Sequence, residues 1–143
     1  MNLYFIVIQN MLWESMMNKL DNYTFDEHPL FEKEFNKIIR KHKCPSLEED
    51  FERLKKVLVQ KLEESNQIPE PLCYRISGLN KNVSLPAFIV KNFRCEKINK
   101  GSRSGFRITF IFSREHNLFY FTEIYNKNQK NVEDKERINK LFN

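Results

Sequence analysis

A chain of 143 residues that is 41% hydrophobic, with thirteen Phe and five Tyr, is long enough to bury one core without staples. Its formal charge of +5 is unevenly spread: residues 91–143 hold twelve Lys or Arg against six acids, while 18–90 hold twelve against twelve. The basic excess favours a polyanionic partner over a general solubility effect, and no stretch approaches the roughly 20 apolar residues that a membrane span needs.

Residues 1–16 read as a leader or extension outside the core fold, and 17–143 as a single domain. The apolar run Leu3–Ile8 is too short for a signal segment and has no basic residues before it, while Met11, Met16 and Met17 offer internal starts. Asn22–Asp26 is a short strand candidate. His28-Pro29 opens a helix in which Phe31, Phe35, Ile38, Ile39 and His42 recur at three- and four-residue steps. Lys41, His42 and Lys43 crowd its end, where the helix dipole favours cations. After Pro45, Ser46 and Glu49 form a capping-box pattern, and Leu47, Phe51, Leu54, Leu58 and Leu62 form a second apolar stripe. So short a connection predicts an antiparallel helical hairpin. Ser65–Pro86, with Pro69, Pro71, Gly78 and Pro86, reads as a connecting loop. Three strands are predicted over Ala87–Glu96, Phe106–Ser113 and Leu118–Tyr125. In the second, Phe106, Ile108, Phe110 and Phe112 alternate with Arg107, Thr109 and Ile111. Arg114–Asn117 is a hairpin turn, and Val132–Phe142 a short amphipathic helix. The order β-α-α-β-β-β-α predicts an α+β fold: a small, largely antiparallel four-stranded sheet packed by an N-terminal helical hairpin, with a short C-terminal helix.

Cys44, Cys73 and Cys95 contain no CxxC pair, and His28, His42 and His116 lack zinc-ligand spacing. A reduced cytoplasmic protein without metal or cofactor is the expectation. The stretch Lys91–Lys127 carries the functional signal. Lys91, Arg94, Lys97, Lys100, Arg103 and Arg107 face a single acid, Glu96, and Gly101 and Gly105 lie in the loop between the strands. Cations on a strand end and a flexible loop let a phosphate backbone approach the chain closely.

These strings resemble the RelE/ParE superfamily of bacterial and archaeal toxins from toxin–antitoxin pairs, over about residues 22–142. HPLFEKEFNKIIRKHKCPSLEEDFERLKKVL is similar to the family's opening helices. Lys91–Arg94 resembles its basic strand, GSRSGFR its K-G/S-G-x-R loop, and TEIYNKNQKNVEDKERI its I-Y-x-K-x-x-K ending. For RelE-type members the resemblance implies a metal-independent endoribonuclease that cuts messenger RNA on the ribosome and is neutralised by a cognate antitoxin. The ribose 2′-OH attacks its neighbouring phosphate, leaving a 2′,3′-cyclic phosphate and a free 5′-OH. Carried onto this chain, Arg107 clamps the phosphate, Lys91 and Arg94 act at the 2′-oxygen, and Lys127 stands near the leaving oxygen. Lys97, Lys100 and Arg103 track phosphates, and Tyr125 stacks on or orients the substrate.

Two departures stand out. Lys91 and Arg94 are three apart, so a regular strand points them to opposite faces; either a bulge corrects this or the working pair is Arg94 with Lys97 or Lys100. Val132–Phe142 contains no tyrosine, unlike the ending of RelE-type members. A ParE-like inhibitor of DNA gyrase and a non-catalytic binding member of the fold remain the competing readings. The cation cluster beside the glycine-containing loop favours the nuclease.

Overall fold

The computed structural model describes residues 2–98 and 104–143, with Met16 described by its backbone alone. Its elements are α1 (Leu3–Leu20), β1 (Thr24–Glu27), α2 (Pro29–Arg40), α3 (Leu47–Ser65), β2 (Cys73–Arg75), β3 (Ala87–Val90), β4 (Phe106–Ser113), β5 (Leu118–Asn126) and α4 (Lys135–Lys140). The class is α+β. Among the described residues the strands form one sheet in the order β1-β5-β4-β3-β2, with β1 parallel to β5 and every other pair antiparallel. The sheet therefore has five strands, not four. The additional one, Cys73–Arg75, is three residues long and lies in a stretch whose prolines and glycine read as loop.

Phe106, Ile108, Phe110 and Phe112 all enter the core beneath α2 and α3, as the alternation of β4 predicts. Phe121 sits at the middle of that core, with its ring centre 4.7 Å from Phe51 and 5.8 Å from both Phe31 and Phe110. The opposite face of the sheet is covered as well: Ile76, Ala87, Ile89, Ile111, Tyr125 and Ile138 form a second, smaller core under α4. This helix is six residues long, shorter than the eleven expected, because Asp134 caps it by accepting a hydrogen bond from Arg137 N at 3.1 Å.

The helix starts differ from one another. His28 caps α2, its Nδ1 accepting from Leu30 N at 3.0 Å, with Pro29 at the first helical position. Burial, and then the charge of Arg137, lowers the His28 pKa, and only the neutral ring can accept this bond. The cap's contribution of about 1 kcal/mol is thus present above the unfolded-state value near 6.5 and is lost as the pH falls through the lower folded-state value. Denaturation midpoints of the chain and of His28→Asn, compared between neutral pH and about pH 5.5, should differ in slope, with the wild-type chain losing the cap and the variant keeping it.

Ser46 does not form the expected capping box. Its Oγ instead donates to Asp50 Oδ2 at 2.7 Å, and Lys97 N donates to Ser46 Oγ at 3.1 Å. Buried Asp50 also receives Arg53 Nη2 at 3.0 Å and Glu96 N at 3.1 Å. Beside this knot Cys44 and Cys95 are joined as a disulfide, with Cα atoms 5.9 Å apart and 51 positions apart in sequence. The expectation of reduced thiols fails for these two, because folding brings the α2–α3 turn against the segment after β3. Cys73 is a buried free thiol whose pKa burial pushes up to about 12.

The continuous helix α1 runs through the position taken as the start of the domain. It packs on α3, where the Lys56 ammonium lies 4.7 Å from the centre of the Trp13 ring, and leaves most of its large apolar side chains exposed. Among the described residues no helix is long and apolar enough to cross a membrane.

Candidate functional site

The sheet face under α4 acquires its polar groups through one irregularity. Thr109 pairs with Glu123 but Phe110 pairs with Phe121, so Thr122 is an extra residue on β5. Before it, Phe119 and Phe121 point into the helix-side core; after it, Ile124 does so, and Tyr125 turns to the other face. Without the bulge, strict alternation would send Tyr125 the same way as Phe121. With it, Tyr125 stands across from Arg107, its direct partner on β4.

The strand ends that carry Arg107 and Lys127 are latched together. Ser104 Oγ donates to Phe93 O at 2.6 Å, and Phe106 N donates to Ser104 Oγ at 3.3 Å. Gly105 has φ +85°, a backbone conformation that favours glycine, and a Cβ there would lie 2.9 Å from Asn126 Oδ1 and displace that side chain. Lys127 N donates to Gly105 O at 2.8 Å. In this setting SGFR is a structural sequence: Ser104 ties the loop, Gly105 closes the turn, Phe106 anchors in the core and Arg107 projects from the other face.

Two polar atoms of this face are buried and unpartnered among the described residues, Arg107 Nε and Tyr125 OH. Burial raises the Tyr125 pKa most; the Arg107 guanidinium, close enough to the phenol to interact with it though outside good hydrogen-bond geometry, pulls it down, and the charges of Glu133 and Glu123 add to the rise. The phenol therefore keeps its proton at neutral pH and can donate it in a hydrogen bond. Glu123, also buried, is ion-paired with Lys130 and accepts from Asp134 N at 2.8 Å. The Lys130 ammonium is 5.2 Å from the centre of the Tyr125 ring. Burying two unfulfilled hydrogen-bonding groups side by side costs free energy unless a ligand completes them.

The predicted cations distribute around this pair unevenly. Lys91 immediately follows the Val90↔Ile108 pair, next in register to Arg107, and its ammonium lies 5.1 Å from the centre of the Tyr74 ring. It is not on a strand, because β3 stops at Val90 rather than Glu96. The opposite-face objection to Lys91 and Arg94 consequently lapses. Beyond Val90 the chain leaves the sheet, Phe93 and Cys95 enter the helix-side core, and Arg94 is exposed between them. Lys127 is exposed at the end of β5. Lys97 is drawn instead to the α2–α3 turn by its bond to Ser46. Lys100 and Arg103 lie outside the described residues.

Sequence reasoning missed Glu123 and Lys130 as site neighbours. The signal was a glutamate inside the apolar run FYFTEIY, and Lys130 as the final basic position of the I-Y-x-K-x-x-K string. The donors Cys44, Asp50 and Cys95 lie within 4.8 Å of one another. They do not fit a metal centre: the sulfurs are bonded to each other, and the Asp50 carboxylate is occupied by Ser46, Arg53 and Glu96 N. Compared with protein-family models and with curated proteins, the chain matches none.

Proposed function

We propose that this chain is a RelE-like endoribonuclease, the toxin of a toxin–antitoxin pair acting on messenger RNA at the ribosome. The observation that carries the reading is the unpartnered pair Arg107 Nε and Tyr125 OH, buried atoms of residues that stand opposite each other on β4 and β5, with Lys91 next in register to Arg107. A scissile phosphate at Arg107 would complete that guanidinium, and its planar fork matches two phosphate oxygens. Lys91 and Arg94 stabilise the 2′-oxygen as it attacks, Lys127 stands near the departing 5′-oxygen, and the protonated phenol of Tyr125 donates to the phosphorane. Preorganised cations and donors around a crowded, highly charged phosphorane supply the stabilisation that this chemistry needs.

The test is induction of the chain in cells that lack its partner. Growth arrest with cuts inside translated codons, bearing 5′-OH ends, is the expected result. Arrest with intact messenger RNA and DNA damage would transfer the case to gyrase inhibition, and no arrest would leave a non-catalytic binding domain.

Tyr125→Phe separates a working phenol from a merely buried one. Removing a buried hydroxyl whose only internal neighbour among the described residues is the Arg107 guanidinium, outside good hydrogen-bond geometry, shifts the denaturation midpoint little. Loss of its hydrogen bond to a charged phosphate lowers cleavage by roughly ten- to a hundred-fold. Unchanged cleavage by the purified variant would assign Tyr125 to packing alone.

A further inference from the structure

The first half of α1 is open on all its sides. Every residue from Leu3 to Trp13 is exposed, and consecutive residues of a helix point about 100° apart, so no side of this stretch is covered by the domain. Leu3 and Tyr4 keep 75% and 71% of their surface, and Leu12 and Trp13, nearer the body of the protein, still keep 65% and 55%. Within the stretch only Gln9 and Asn10 interrupt the apolar run, and no residue is charged. Charge begins at its root. Glu14 follows Trp13, Lys19 lies in the last turn of α1, and the Lys56 ammonium of α3 stands 4.7 Å from the centre of the Trp13 ring.

We infer that α1 sinks this apolar half into the surface of a lipid bilayer, as an anchor that enters one leaflet without crossing. A helix that is apolar all round needs surroundings that are apolar all round. A second copy packed alongside covers one stripe and leaves the other sides in water, whereas acyl chains close around every side. The length agrees with entry into a single leaflet: residues 3–13 rise about 16 Å against a hydrocarbon core of about 30 Å. Trp13 stands at the junction of apolar and charged residues, and an indole suits the headgroup level, where its body is buried and its N–H stays wet. Lys56 and Lys19 lie at the same level, within the reach of lipid phosphates. Gln9 and Asn10 restrain the depth, because amides are costly in hydrocarbon and satisfied near the headgroups. This surface is separate from the Arg107–Tyr125 pair, so the inference stands whether or not the chain cleaves RNA.

Trp13 is the only tryptophan in the chain, and its emission therefore reports on the anchor directly. The test is flotation of the full chain with neutral phosphatidylcholine vesicles on a density gradient, combined with tryptophan emission. The chain is expected to float with the vesicles and its emission to shift to shorter wavelength. Binding should persist at about 1 M salt, where contacts between charges are screened. Phe5→Glu with Val7→Glu places two charges on nearly opposite sides of the helix and should reduce vesicle partitioning about tenfold or more. Both side chains are exposed, so the denaturation midpoint should hold. Absence of flotation overturns the inference, as does flotation that the double variant leaves intact. Binding confined to anionic phosphatidylglycerol vesicles and abolished by salt also overturns it, and would assign the lipid contact to the basic surface. A chain that stays off the vesicles as a dimer, and becomes a monomer in the double variant, would give α1 to a second copy instead.

Discussion

Replacing Arg107 by alanine is expected to lower RNA cleavage by roughly a hundred- to a thousand-fold, about 2.7–4 kcal/mol of transition-state stabilisation, by analogy with the loss of one preorganised donor from an oxyanion hole. The fold should survive, because Arg107 is half-buried at the end of a strand and its Nε makes no internal hydrogen bond. Its partner across the sheet, Tyr125, remains held by the bulge at Thr122 and by packing against Ile138 and its neighbours. Arg107→Lys sharpens the experiment: a lysine restores the charge but not the planar fork, so it should recover only part of the lost rate. Mapped 5′-OH ends in purified translation reactions provide the measure, with the denaturation midpoint as control. Full activity in Arg107→Ala would remove the clamp on which the proposed mechanism depends.

The second large effect lies in the core. Phe121→Ala should cost about 3–5 kcal/mol, the range for deleting a fully buried phenylalanine and leaving a cavity. Its ring is fully buried among Phe31, Phe51 and Phe110, with Phe25 stacked 6.5 Å away, so surrounding side chains that are themselves large and rigid cannot collapse into the gap. A domain of this size has roughly 5–15 kcal/mol in total, so the variant should sit near its unfolding threshold. Urea titration should show a lower midpoint with an unchanged slope. A loss below about 1 kcal/mol would mean that the aromatic cluster repacks around the missing ring.

Elements with a single clean period were legible in the sequence. The helical stripes from Phe31 to Ile39 and from Leu47 to Leu62 became α2 and α3, and the alternation from Phe106 to Ser113 became β4 residue for residue. Where the pattern lacked contrast it misled. Leu3–Trp13 is apolar on every side of a helix, so it shows no stripe, and its helical state was not foreseen. Cys73–Arg75 is too short to display alternation. Ala87–Glu96 reads as one strand because Phe93 and Cys95 are apolar, yet they are apolar because they turn into the helix-side core after the strand has ended.

The candidate site was legible in its charges more than in its directions. Arg107 follows from the alternation of β4. The direction of Tyr125 does not, because it depends on a bulge that no single residue type announces. Likewise the Glu34–Arg137 pair spans 103 positions of sequence, and only the finished topology brings its members together.

The disulfide between Cys44 and Cys95 has a consequence for a chain that is cut. The exposed connection from Asn66 to Pro71 lies inside the span that this bond closes. A protease that nicks there would produce two fragments, one bearing α1 to α3 and the other the strands with Arg107 and Tyr125. Under oxidising conditions they would remain one molecule, held both by the shared core and by a covalent strap. The nick would become visible on a denaturing gel only when a reductant is added.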